Sequence, residues 1–405
     1  MSVDVRTRTT RPEATVDPED FFERDLPAAL DRNGPPAAVR ALAPPPLTIE
    51  VDGSAWTLTA EDGRVAVVRG SQDGARLRLT TSALDGLVHD EITPMAWFSS
   101  GVLDLTNGRL ERVLDWWMIL RAALDEREPY VGGGMTFESA SGAPLDLGHT
   151  FTLDDDPATM REFLEQCGYL HIAGVYSEEE MARVSADMDR AAPGYSEGDG
   201  RSWWAKTADG TSRLVRMQSF DDESPTVAEL VRDDRLRTIG ALPGDGHEWG
   251  ASRSDNWIEA LVKPIGVVEG ISDVPWHKDC AFGRHSYQCC GLTVGISVTG
   301  ADATCGQLRV VAGSHRALVW PALFRRDLDL PVVDLPTRTG DATVHLSCTL
   351  HMAQPPTDRE RRVLYTGFSL PPNDRAADLR AREELRAIRE AAPVTVSQPP
   401  AAPVR

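Results

Sequence analysis

The stretch that most constrains this chain is Val274-Pro275-Trp276-His277-Lys278-Asp279-Cys280, where a histidine and an aspartate are separated by one residue. Side chains alternate along an extended backbone, so His277 and Asp279 leave the same side of it. An imidazole beside a carboxylate supplies two of the three protein groups that hold a non-haem iron on one face and leave positions open. Alone the triplet decides little, because most His-x-Asp triplets are exposed polar residues.

The third ligand should be another histidine, and the segment Gly340 to His351 offers His345 and His351. A Gly-Asp turn followed by alternating residues reads as a strand with His345, Ser347, Thr349 and His351 on one face. Such a polar face costs free energy inside a barrel unless its groups find partners. The chain turns through Gln354-Pro355-Pro356-Thr357-Asp358 and returns as Arg361-Arg362-Val363-Leu364-Tyr365-Thr366-Gly367-Phe368. A hairpin centred between Pro356 and Thr357 sets His351 opposite Arg362. An arginine there suits a carboxylate cosubstrate, since its planar fork grips a carboxylate through two bonds. Adjacent strand residues face opposite sides, so only one arginine of the pair points inward. The hairpin makes that Arg362 and leaves Arg361 a solvated surface charge.

These stretches, with Phe163-Leu164-Glu165-Gln166-Cys167-Gly168-Tyr169-Leu170 and Gly306-Gln307-Leu308-Arg309-Val310-Val311-Ala312-Gly313-Ser314-His315-Arg316, resemble the phytanoyl-CoA dioxygenase family of iron- and 2-oxoglutarate-dependent oxygenases. The resemblance spans about residues 156 to 371, in the family's order and spacing. It implies a double-stranded β-helix, or jelly roll. It also implies Fe(II) held by His277, Asp279 and His351, with Arg362 on the distal carboxylate of 2-oxoglutarate and O2 as co-reactant. Arg216, in Arg216-Met217-Gln218-Ser219-Phe220, resembles a position that contacts cosubstrate or substrate and is a secondary candidate. Two positions depart from the family. Pro356 stands where an Asn is common after the distal histidine, and Gly295 where some members carry a Trp.

The whole chain reads as an α+β N-terminal module followed by a jelly-roll oxygenase domain with flanking helices. Residues 1–46 form a flexible leader, rich in Pro, Ala, Arg and Asp, in which Phe21, Phe22 and Leu26 can seed one short helix. Residues 47–131 read as short strands joined by turns at Gly53, Gly63 and Gly74, then a helix carrying Leu110, Val113, Leu114, Trp117, Leu120 and Leu124 at helical spacing. This order resembles the sterol-carrier-protein fold, which implies an apolar ligand, whereas Trp97, Trp116 and Trp117 read as ordinary core. Residues 132–155 form a linker beginning at Gly132-Gly133-Gly134. Residues 156–371 form the barrel, opened by a helix to Cys167 and a capped helix at Ser177-Glu178-Glu179-Glu180. A tail, 372–405, carries one charged helix. The iron and cosubstrate groups all lie beyond residue 156, so a fragment starting at Ser139 is expected to keep them.

Composition narrows the partners. A formal charge of −20 repels nucleic acid and anionic membrane surfaces alike. No run approaches the roughly 20 apolar residues of a spanning helix, and the first residues lack the apolar core of a signal peptide. Six cysteines without a CxxC pair read as reduced thiols in a cytoplasm. The resulting expectation is a dioxygenase that hydroxylates an unactivated carbon of a small-molecule or lipid-like substrate, releasing succinate and CO2. An Asp at position 279 favours hydroxylation, or a desaturation or ring closure begun by the same hydrogen abstraction. Two readings compete: a lipid-binding carrier with a non-catalytic barrel, and a zinc enzyme, since two histidines and a carboxylate also suit zinc.

Overall fold

The computed structural model describes residues 15–33, 37–99, 101, 103–249, 258–270, 272, 274–282, 291–325 and 327–371. The tail expected at 372–405 and the first part of the leader lie outside the described residues, as do Cys289 and Cys290.

The N-terminal unit is built on strands β1 (Leu47–Val51), β2 (Ser54–Glu61), β3 (Arg64–Arg69), β4 (Ala75–Leu79) and β5 (Asp104–Thr106), in spatial order β3-β2-β1-β4-β5. Its first two turns are dictated locally. Asp52-Gly53 and Asp62-Gly63 have positive φ at both central residues, the two-residue hairpin geometry that follows strand twist and that an Asp-Gly pair tolerates. β1 and β4 pair in parallel, and the helices Thr81–Val88, Pro94–Ser99 and Leu110–Leu124 complete the unit. Trp56, Trp116 and Trp117 are each at most 2 % exposed. The void bordered by Phe21, Phe22, Trp117 and Leu120 is about 10 Å³, room for at most one water molecule. The tryptophans are core, as their spacing suggested.

The leader differs from expectation. A helical run over Pro18–Asp20, Phe21–Asp25 and Leu26–Asn33 packs on this core, with Phe21, Phe22 and Leu26 at most 3 % exposed. The Phe22 ring stacks on Trp56 at 4.8 Å. Three large apolar groups on one helix gain enough by burial to outweigh the Pro- and Asp-rich composition around them.

The second unit holds β6 (Tyr169–Ile172), β7 (Ser202–Thr207), β8 (Ser212–Met217), β9 (Glu248–Trp249), β10 (Glu259–Lys263), β11 (Val267–Glu269), β12 (Gly291–Ser297), β13 (Leu308–Val311), β14 (Val332–Leu335), β15 (Ala342–Leu346), β16 (His351–Ala353) and β17 (Arg361–Ser369). The larger sheet runs β11-β7-β8-β10-β17-β12-β15-β6, with β9 pairing β17, and the smaller runs β14-β13-β16. These are the two antiparallel sheets of a jelly roll. One face of the large sheet packs Leu292, Val294, Ile296, Val344, Leu364 and Phe368 into the same core as the helices Pro157–Cys167 and Glu178–Ala191. Its other face looks toward the small sheet. The capping box at Ser177 and Glu180 starts the second helix as the sequence indicates.

The two units share a boundary. Leu318 is buried in the N-terminal core, and Tyr130 N–H donates to Leu318 O at 3.0 Å. Trp320 Nε1 donates to Asp115 at 3.0 Å, Arg325 lies 3.6 Å from the same carboxylate, and Ala322 packs with Met95 and Leu114. A fragment starting at Ser139 would bare Leu318, Trp320 and Ala322 to water. It is expected to melt lower than the full chain, to aggregate, and to lose iron affinity. A monomeric fragment with full-length melting and iron binding would restore the independence that the sequence suggested.

His315 sits where the first barrel helix ends. Its Nε2–H donates to Glu165 O at 2.9 Å, and a Cβ on Gly168 (φ 87°) would fall 2.4 Å from its Nδ1. Burial pushes this imidazole down to about 4 from the ordinary 6.5. The unfolded chain therefore takes up the proton first, and stability is full above about pH 6.5. It falls as pH drops toward 4, by about 3 kcal/mol in total. Urea unfolding across that window checks the point: His315→Asn should show the smaller acid loss, and an equal loss would exonerate His315.

Candidate metal centre

His277 reaches the centre on a short extended segment clamped from both sides. Its backbone pairs antiparallel with His351 on one side and Ala322 on the other. His277 N–H donates to His351 O at 3.0 Å, and His351 N–H returns a bond to His277 O at 2.9 Å. Lys278, between the two candidate ligands, points the other way, as period-two alternation requires. It is fully buried, and its Nζ donates to Ser314 O at 2.9 Å. The segment then leaves extended geometry at once, and Asp279 opens a 3-10 turn, Asp279–Phe282.

The structure brings His277, Asp279 and His351 together, with one ligand atom from each inside a 4.8 Å group. Asp279 Oδ1 lies 3.4 Å from His277 Nε2 and 3.5 Å from His351 Nε2. His277 Nδ1 is 2.7 Å from Pro275 O, and His351 Nδ1 is 3.0 Å from Thr349 O. A carbonyl only accepts, so each Nδ1 must carry the proton, which leaves each Nε2 lone pair aimed at the shared centre. Burial would raise the Asp279 carboxyl, yet His351, His277 and His345 around it hold it well below the usual carboxylate range. Burial, with His345 and His277 alongside, keeps His351 well below its ordinary value and so neutral, the form that binds metal. Two imidazoles that turn Nε2 toward the centre and one ionised carboxylate fit a divalent iron.

The arginines fall differently from the sequence reading. β16 does not form a hairpin with β17: it pairs with β13 in the small sheet, whereas β17 lies between β10 and β12 in the large one. His351 is therefore not opposite Arg362, and the register counted from the turn does not apply. Arg362 shares its face with Leu364 and Phe368, outside the barrel. It binds Asp189 at 2.8 Å, Glu360 at 3.1 Å and Ser185 O at 3.2 Å, pinned to the helix Glu178–Ala191. Arg361 is 3 % exposed and crosses between the sheets, donating from Nη1 to Gly306 O at 2.9 Å. Its Nη2 lies 3.5 Å from Tyr365 Oη. Opposite it on β10, Lys263 also spans the gap, from Nζ to Ala353 O at 3.0 Å.

Arg216 is on the inner face too. It pairs with Glu259 at 3.1 Å and lies over the Trp203 ring at 4.1 Å. His345 and His351 do not share one strand, because β15 ends at Leu346 and a turn at Ser347–Leu350 carries the chain to the other sheet. The sequence reading missed Arg361, Lys263, Tyr365 and Thr293. The available signal was the outer-face run Leu364, Thr366 and Phe368, whose parity is that of Arg362. Gly295, where a Trp was a family alternative, faces Tyr365 and Thr343, and a Cβ there would meet them at 2.9 and 3.0 Å.

A jelly roll whose two sheets enclose this ligand set defines a non-haem iron, 2-oxoglutarate-dependent oxygenase. Residues 164–363 match the family model described as phytanoyl-CoA dioxygenase (PhyH), and the chain carries a domain of that family. Among solved structures it is similar to AviO1 from Streptomyces viridochromogenes Tue57, with 22 % identity over 53 % of this chain and 96 % of that one and a TM-score of 0.41. It is also similar to the epimerase SnoN from nogalamycin biosynthesis, at 21 % identity, 53 % and 84 % coverage and a TM-score of 0.42. EctD from S. alaskensis shows 17 % identity, 58 % and 83 % coverage and a TM-score of 0.44. Likeness this distant carries nothing about substrate or reaction. No curated protein matches the chain. None of the described helices is long and apolar enough to cross a membrane.

Replacing His277 or Asp279 with Ala should abolish iron retention while leaving melting close to wild type, since neither side chain is core. One equivalent of iron held by both variants would refute the ligand assignment.

Proposed function

We propose that the chain hydroxylates an unactivated carbon of a small molecule, with iron at His277, Asp279 and His351 and 2-oxoglutarate anchored by Arg361. The observation that carries this reading is the convergence of the His277 and His351 imidazoles and a carboxylate oxygen of Asp279 on one centre, in a barrel that also buries Arg361 between its sheets. When bound, the iron supplies the oxidation: substrate C–H, O2 and 2-oxoglutarate become C–OH, succinate and CO2.

This chain's residues do the rest. His277 and His351 present fixed lone pairs, and Asp279 supplies the charge that favours a divalent ion. Arg361 and Tyr365, with Lys263 beside them, form a cationic, hydrogen-bonding end to the pocket that suits a second carboxylate. Glu259 and Arg216 lie further along the same face and fit contacts to a polar substrate. That polarity favours a polar small molecule over a lipid-like one. It also weighs against a lipid carrier with an idle barrel, as does the filled interior of the N-terminal unit, whose likeness to a sterol-carrier fold rests on pattern alone. A cytoplasmic setting agrees with the buried free thiols of Cys167 and Cys305.

Formation of succinate from 2-oxoglutarate, dependent on Fe(II) and O2, tests the class, and a screen of polar small molecules tests the substrate. Within the site, Arg361→Ala should weaken 2-oxoglutarate binding on the order of a hundredfold, the effect of losing about 3 kcal/mol of buried charged contact. Arg362→Ala should change it little. Anaerobic titration of 2-oxoglutarate into the iron-loaded variants decides between them, and the reverse order would return the role to Arg362.

A further inference from the structure

One buried group at the centre is not explained by metal ligation. His345 is 1 % exposed, and neither of its ring nitrogens makes a hydrogen bond among the described residues. Burying an imidazole unpaired costs about 1–3 kcal/mol, so an apolar residue would serve a mere core position better. Its ring lies 4.2 Å from that of His351, and its Nε2 stands 3.5 Å from Asp279 Oδ2. The compact donor group contains His277, Asp279 and His351 but not His345.

The two oxygens of Asp279 have separate neighbourhoods. Oδ1 faces the ligand nitrogens of His277 and His351. Oδ2 faces His345 and accepts a 3.0 Å bond from Thr293 Oγ1. His345 on β15 and Thr293 on β12 are direct cross-strand partners, so one rung of the large sheet brings two donors to one oxygen.

We propose that His345 is a positioning residue that donates from Nε2 to Asp279 Oδ2 and, with Thr293, leaves only Oδ1 for the metal. This rests on the oxygenase reading and adds a specific device to it. A carboxylate gripped this way binds through one oxygen and cannot swing round to chelate. The coordination position it would otherwise take stays free for cosubstrate or oxygen.

The test needs no substrate. Co(II), a spectroscopic stand-in for Fe(II), is titrated into wild type, His345→Phe, His345→Gln and Thr293→Val, and melting of each metal-free chain is recorded. His345→Phe should bind Co(II) about 10–100-fold more weakly, the usual effect of losing a group that orients a ligand. Its d–d bands should change as the carboxylate becomes free to chelate, while the metal-free chain melts no lower than wild type. His345→Gln, whose amide donates at a similar reach, should recover most of the affinity, and Thr293→Val should shift it in the same direction as Phe. Unchanged affinity and bands in His345→Phe would overturn the proposal. So would a metal-free melting loss that parallels the affinity loss without rescue by Gln, which would mark His345 as packing alone. If His345→Phe does not fold, weaker binding by Thr293→Val beside near-wild-type affinity in His345→Gln carries the proposal, and wild-type affinity and bands in Thr293→Val overturn it. A wild-type chain that takes up no metal would refute the oxygenase reading, and this proposal with it.

Discussion

The site depends on the two-sided backbone clamp on His277. A metal ligand on a free loop would have to be ordered at the moment of binding, at about 1–2 kcal/mol per residue fixed. Here the main chain is already fixed by Ala322 on one side and His351 on the other. Lys278 N–H adds a bond to Pro321 O at 2.8 Å, and Leu323 N–H one to Trp276 O at 2.7 Å. The clamping strand is the same segment that the N-terminal unit holds through Leu318, Trp320 and Ala322. The helix Leu110–Leu124 is thus one packed segment away from His277, through Trp320 on Asp115 and Ala322 on Leu114.

The centre also shows how a strongly polar interior is made tolerable. Each imidazole of the ligand set uses its second nitrogen on a backbone carbonyl, and the carboxylate has its second oxygen on Thr293. Burial, and then the closeness of His345 and His277, keeps His351 neutral in this crowded group. A divalent ion held there would balance the negative charge of the Asp279 carboxylate. Metal binding and folding are coupled in such a site, because the ligands gather only in the folded state.

The legible parts of the sequence were those set by local rules. Asp-Gly pairs gave the hairpins of the first sheet, the Ser177 capping box gave a helix start, and the one-residue spacing of His277 and Asp279 gave a shared side. What failed was pairing between distant strands. Counting back from the turn at Pro356 and Thr357 assumed that β16 and β17 are neighbours, but the chain changes sheets between them. A one-residue slip then moves the whole strand's side chains to the other face, which is how Arg361 and Arg362 exchanged places. The same limit applied to His345 and His351, read as one strand although a turn divides them. The leader's helix was legible at Phe21, Phe22 and Leu26, but its burial on the first core was not, because the surrounding composition argues for disorder.

The change of sheet has a consequence for cosubstrate binding. Because β17 belongs to the large sheet and β16 to the small one, the cationic end of the pocket and the distal ligand His351 sit on opposite walls. Arg361 and Lys263 already span the gap by donating to carbonyls of Gly306 and Ala353. Those bonds hold two long side chains in one geometry before any anion arrives, so little rotamer entropy is left to lose on binding. An anion entering that gap would meet two cationic groups already held in place. Binding only the folded barrel, it would stabilise the fold by mass action as well as complete the site. Arg362, pinned on the outer face by Asp189 and Glu360, has no such route. Its charge belongs to the packing of a helix on the sheet, and the adjacent residue's charge to the space between the sheets.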